Sequence, residues 1–236
     1  MAERNKAMVF LFLCCVGIMV IPFIASCGKN GTAPANSNIQ MQVINLSPDL
    51  QPVNLFVSYI QQNTVAFSYP TPSGYFTLKN IDTPVQIRSF YTNVSTTNFI
   101  SLNTPLKNNY KYTLFVTGLR ADSSITSIFA IDTAATPTVG RGKIRFVNAS
   151  PRSGAFDITV NGTKAFTNQG YKNISNFIEV PPGNYDFRIL PTGSGTVLAD
   201  MPGTVILDGK VYTLYCRGIV GGADSVAFAG GILNNR

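Results

Sequence analysis

The sequence predicts an all-β chain of two tandem, immunoglobulin-like antiparallel β-sandwich domains, on three observations. The first is an internal duplication. Arg145 to Gly162 reads RFVNASPRSGAFDITVNG, and Met41 to Val57 already reads MQVINLSPDLQPVNLFV. The second is composition: charged residues make up only 12% of the chain, while Thr, Ser, Asn, Val, Ile, Phe and Tyr abound, a bias toward strands. The third is turn chemistry recurring every 8 to 12 residues or so, the spacing of short strands in a sandwich.

The duplication sets the domain boundaries. Asn45, Ser47 and Pro48 match Asn148, Ser150 and Pro151 at an offset of 103, as do Val53, Leu55 and Val57 with Phe156, Ile158 and Val160. Tyr69, Ser73, Tyr75, Phe76 and Leu78 match Tyr171, Ser175, Phe177, Ile178 and Val180 at 102. Tyr112, Thr113, Leu114 and Gly118 match Tyr212, Thr213, Leu214 and Gly218 at 100. A slowly shrinking offset is what loops of changing length between fixed strands produce. Copy one is placed at residues 39–132, the linker TAATPTVGRG at 133–142 and copy two at 143–236.

Within copy two, Asn161-Gly162 sits between FDITV and TKAF, where a two-residue hairpin needs positive φ at both positions. Asp208-Gly209 does the same between TVIL and KVYTLYC, and Pro181-Pro182-Gly183-Asn184 separates FIEV from YDFRIL. About seven strands per copy follow, with alternating apolar residues turned into the core.

Residues 1–26 have the layout of a secretory signal peptide: Arg4 and Lys6, then an apolar run from Ala7 to Ser26. The end of this segment, Ile24-Ala25-Ser26-Cys27, resembles the lipobox of bacterial lipoproteins. The resemblance implies cleavage before Cys27 and acylation of its sulfur, making Cys27 a membrane anchor. The competing reading is an uncleaved transmembrane helix, since about 20 apolar residues span a bilayer. Pro22 and the small pair before Cys27 argue against it. Residues 27–38, CGKNGTAPANSN, lack apolar periodicity and read as the lipidated cysteine and a flexible tether. Gly28 after the cysteine points to the outer membrane, and the lack of acidic residues in the tether leaves cell surface and periplasm both open.

Four cysteines invite a disulfide count, but Cys14 and Cys15 leave with the signal peptide and Cys27 is acylated. Cys216 then stands alone and is expected to be a buried, inert thiol aligned with Val116. Losing Arg4, Lys6 and Glu3 takes the net charge from +7 to +6. Arg141, Lys143 and Arg145 alternate, so a strand would place them on one face. Three charges are too few for a nucleic-acid footprint, and no nucleic-acid partner is expected.

Copy two also resembles a widespread family of exported bacterial domains of unknown function whose signature opens His-Ala-Ser-Pro-Asp. The matching residues are Ala149-Ser150-Pro151, Asp157, Gly162, Tyr171, Pro182 to Asn184, and Tyr212-Thr213. Asn148 stands where that family has His and Arg152 where it has Asp, while copy one has Asn54 opposite Asp157. The resemblance therefore implies fold and export, and no chemistry.

The chain contains no histidine, which removes a Ser-His-Asp triad and any His-based zinc site. Its 11 acidic residues show no calcium-loop or glycosidase-like spacing. No phosphate loop precedes a helix, because Gly193-Ser194-Gly195 lies between strands. The expectation is a non-catalytic protein without metal or cofactor, a hydrolase built from converging carboxylates being the remote alternative. Asn148-Ala149-Ser150-Pro151, mirrored in copy one, reads as a structural corner.

Three tyrosines are the ligand-binding candidates: Tyr69, Tyr75 and Tyr171. Tyr69 and Tyr171 occupy matching positions, either as corner tyrosines bonded to backbone or as exposed stacking platforms. Tyr69 to Tyr75 reads YPTPSGY, and its prolines would stiffen a loop with a tyrosine at each end. The absence of Trp weakens a sugar-platform argument. Two functions follow: a membrane-anchored binding or adhesion module for a polysaccharide or an envelope protein, or a passive spacer or scaffold subunit. The oligomeric state is open.

Overall fold

The computed structural model describes residues 38–90 and 97–236. The segment expected to be a signal peptide, Cys27 and the expected tether up to residue 37 lie outside the described residues. Among the described residues no helix is long and apolar enough to cross a membrane.

The first half folds into eight strands: β1 (Gln40–Asn45), β2 (Val53–Val57), β3 (Ile60–Gln61), β4 (Phe76–Thr77), β5 (Val85–Ser89), β6 (Asn98–Leu102), β7 (Lys111–Thr117) and β8 (Thr126–Ile131). They form two sheets in the orders β4-β1-β7-β8 and β3-β2-β5-β6. The second half repeats the plan with β9 (Gly142–Asn148), β10 (Phe156–Val160), β11 (Thr163–Gln169), β12 (Ile178–Val180), β13 (Gly183–Pro191), β14 (Ala199–Ile206), β15 (Val211–Arg217) and β16 (Ala229–Asn234). Its sheets run β12-β9-β15-β16 and β11-β10-β13-β14. Two tandem β-sandwiches are the result.

The pairing departs from a fully antiparallel plan at one matched place in each half. β1 runs parallel to β7, with Val43 beside Leu114, and β9 runs parallel to β15, with Phe146 beside Leu214. Parallel neighbours need a long connection, and here the other sheet of the sandwich supplies it. The chain crosses between sheets at the Asn-x-Ser-Pro corners. Asn45 Oδ1 accepts from the Ser47 amide and Asn148 Oδ1 from the Ser150 amide, each at 3.1 Å. These side-chain turns hold the bend that sends β1 to β2 and β9 to β10.

Each sandwich closes over its own core, Met41, Val43, Leu55, Ile87 and Leu114 in the first and Phe146, Ile158, Phe187 and Leu214 in the second. Cys216 lies in the second core fully buried, and desolvation pushes its thiol up to about 12. A third core lies between the sandwiches. Ile44, Leu46, Phe115 and Ile128 from the first meet Val147, Ala149, Tyr215 and Leu233 from the second. β1, β7, β9 and β15 are thus buried on both faces, which is why KYTLFVT and VYTLYCR carry apolar residues on both faces, interrupted only by Thr113 and Thr213, instead of clean alternation.

The repeated glycines after β7 and β15 have a steric cause. A Cβ on Gly118 would sit 2.2 Å from the Ser124 carbonyl oxygen, and one on Gly218 2.1 Å from that of Ala227. Both residues also have positive φ, so no side chain fits at either position.

Candidate functional site

The three tyrosines expected to bind ligand meet the seam between the sandwiches. Tyr69 Oη accepts from Arg217 Nη1 at 2.8 Å, and the Arg217 guanidinium lies 5.4 Å from the Tyr69 ring. Tyr171 Oη lies 3.3 Å from Thr117 Oγ1, which itself donates to the Ala149 carbonyl. Because Arg217 and Thr117 are matching positions, each sandwich extends its corner tyrosine to the same point on the other. The reciprocity is that of a pseudo-twofold interface built by duplication.

Tyr75 enters deeper. Its hydroxyl donates to Asp132 Oδ2 at 2.7 Å and accepts from Asn235 Nδ2 at 2.8 Å, while the Lys111 ammonium sits 5.0 Å from its ring. Burial first, then the neighbouring Asp132 charge, hold its pKa well above the ordinary phenol range, so it stays a donor. All three rings are half-buried.

At the centre of this seam is a buried ion pair that composition did not announce. Arg145 and Asp132 are each only 3% exposed. Arg145 Nη2 is bonded to Asp132 Oδ1, Nη1 donates to the Ile131 carbonyl and Nε to Thr213 Oγ1. Thr113 Oγ1 donates to Asp132 Oδ2 at 2.6 Å. The matching Thr213 donates to Asn235 Oδ1 at 2.7 Å. The strand register makes Asn235 the counterpart of Asp132 and Gln42 the counterpart of Arg145. The duplication has kept the hydrogen-bonding plan and placed charge on one side of it only. Burial pushes the Asp132 carboxyl up from the ordinary range, and Arg145 opposes that shift.

Of the alternating basic residues, Arg145 is therefore internal, Lys143 pairs with Glu179 at 3.6 Å, and Arg141 is exposed. A shallow crevice of about 330 Å³ opens beside the seam, lined by Asn109, Lys111, Asp132, Thr136 and Asn235. A second, of about 370 Å³, lies between the edge strands β11 and β12, lined by Phe166, Gln169, Asn173, Asn176 and Ile178.

Asp157, the acidic residue shared with the resembled family, is 2% exposed and held by three donors. Lys164 Nζ lies at 2.7 Å, the Asn168 amide at 3.0 Å and the Gly193 amide at 3.4 Å. It pins the bulged strand β11 and the turn after β13; at the matching position of the first sandwich Asn54 Oδ1 accepts from Asn63 Nδ2 and holds the segment after β3. The Lys164 hydrogen bond leads in lowering its pKa, from 3.8 to about 2. A depressed folded-state value means the unfolded chain binds the proton first. The stability Asp157 contributes is thus full above about pH 4 and is lost as pH falls through about 2. Asp157→Asn is expected to flatten that part of the acid limb, as read by urea midpoints between pH 5 and 2. An unchanged limb would assign the acid sensitivity elsewhere.

Among the described residues, no three His, Cys, Asp or Glu side chains come together as a metal-binding group. A search of curated proteins found no relative. The family described as "Domain of unknown function (DUF4397)" matches residues 39–159 and again residues 142–229. With two copies of one sandwich, one set of corners and two matches along most of its length, the chain belongs to the DUF4397 family.

Proposed function

We propose that this chain is a non-catalytic, lipid-anchored protein of the cell envelope, held in the outer membrane through Cys27, whose paired sandwiches act as one binding or adhesion module. The observation that carries the reading is the seam. An apolar core and a satisfied polar network join the two sandwiches, so surfaces on both are held in fixed register. A preorganised surface loses less entropy on binding. The buried carboxylates support a non-catalytic role, since Asp132 and Asp157 are each engaged by several donors.

The same seam favours a second reading, a passive spacer or scaffold subunit, because the hydroxyls of Tyr69, Tyr75 and Tyr171 are used in joining the sandwiches. Protease shaving of intact cells, with Cys27→Ala alongside, tests the anchored-module reading. Digestion in intact cells and release of Cys27→Ala from the membrane are expected for a surface adhesin. Protection until permeabilisation moves the module to the periplasmic face, and firm membrane association of Cys27→Ala overturns the lipid anchor.

A further inference from the structure

The duplication offers an internal control for the two-residue hairpins. Asn161-Gly162 joins β10 to β11 with φ of 49° and 82°, the pair such a turn favours. Ser58-Tyr59 makes the matching turn between β2 and β3 with φ of 47° and 66°. A bulky side chain is a rare occupant of that region of backbone space. Tyr59 is nonetheless held there and is 65% exposed. An aromatic kept at a hairpin tip against its own backbone preference, where the sister copy uses Gly, points to a use for the ring.

What lies beneath the ring indicates the use. Arg88 on β5 stands opposite Asn54 on β2, and its guanidinium lies 4.5 Å from the Phe56 ring centre and 5.6 Å from that of Tyr59. One nitrogen, Nη2, donates to Gln86 Oε1 at 2.6 Å. Nε is buried with no hydrogen-bond partner among the described residues. Among the described residues no carboxylate pairs with Arg88, although the buried Arg145 has Asp132. The sister copy has Leu190 at the matching ladder position. Guanidinium nitrogens form a planar fork that fits a carboxylate. A half-buried, unneutralised guanidinium stacked on aromatic rings is charge-complementary to such a group. The exposed Tyr59 ring and the Gln61 amide, which stands opposite Phe56 on the hairpin, suit the C–H face and hydroxyls of a sugar.

We infer that the β2–β3 hairpin of the first sandwich is a recognition site for a carboxylated sugar, with Arg88 taking the carboxylate and Tyr59 stacking on the ring. The inference rests on the binding-module reading and names its ligand class and its place. The test is calorimetric titration of the full chain in detergent with an oligogalacturonate and with its methyl ester, which keeps the rings and removes the charge. Binding of the acid form is expected to weaken with added salt and to fall at least tenfold on esterification, in Arg88→Gln and in Tyr59→Gly. Tyr59→Gly is also expected to raise the melting temperature, because glycine accepts the turn, so that lost binding cannot be lost folding. No binding of the acid form, equal binding of acid and ester, or wild-type binding by both variants would overturn it. Capture of an envelope protein that depends on Arg88, without oligogalacturonate binding, would also overturn it and assign the patch to a protein carboxylate. Correct anchoring in the shaving experiment with failure here would leave the envelope reading standing.

Discussion

Arg145→Ala is expected to lower the unfolding free energy by about 3–5 kcal/mol, the usual consequence of removing one member of a buried ion pair. For a chain of this size that is a fall in melting temperature of roughly 6–20 °C. The cause is what remains. Asp132 would keep Thr113 and Tyr75 as donors but lose the positive charge of Arg145 bonded to it, at a site 3% exposed. Arg145 also bonds the Ile131 carbonyl and Thr213 and lies 4.7 Å from the Phe177 ring, so both sandwiches lose contacts. The duplication supplies the rescue. Arg145→Gln with Asp132→Asn installs the neutral residues that stand at the matching positions of the duplication, Gln42 and Asn235, and the double variant is expected to recover most of the loss. Denaturant midpoints of the two single variants and the double one measure the coupling. A double variant that merely adds the single losses would show that the pair does not act as a unit.

Much of this architecture was legible in the residues, and the exceptions share a physical reason. The hairpins and corners are local: Asn161-Gly162 and Asn148-x-Ser150 carry their conformations in a few adjacent side chains. The parallel pairing of β1 with β7 joins residues about 70 apart, and no local pattern encodes it. The seam did leave a trace, since Tyr112 to Val116 and Val211 to Cys216 are too continuously apolar for strands with one wet face. Arg145 left none, because alternation with Arg141 and Lys143 is also the pattern of a solvated strand face. Tyr69, Tyr75 and Tyr171 were legible as special positions, and the contacts of their hydroxyls became visible only once the other sandwich was in place. Tyr59 was hidden differently. Only setting Ser58-Tyr59 against Asn161-Gly162, with the turn geometry known, shows that the residue is out of character for its position.

Phe115→Ala is expected to cost about 3–5 kcal/mol, the range for emptying a buried aromatic site, and to do so at the seam instead of within either sandwich. Phe115 is fully buried on the face of β7 turned away from its own core, and its ring centre lies 6.1 Å from that of Tyr215 across the seam. Val116 and Leu114, its neighbours in the strand, belong to the first sandwich's core. The substitution therefore leaves that core intact while opening a void between Ile44, Ile128 and Tyr215. Burial at the seam is what couples the two folding units, each burying side chains worth about 1.5–3 kcal/mol apiece. The wild-type chain is expected to unfold in one calorimetric transition with the van't Hoff and calorimetric enthalpies equal. Phe115→Ala is expected to separate it into two, with amide exchange rising first at the β7–β15 seam. A single transition at an unshifted temperature would mean that the polar network alone couples the sandwiches. It would also remove the apolar seam as the physical basis for presenting their surfaces in fixed register.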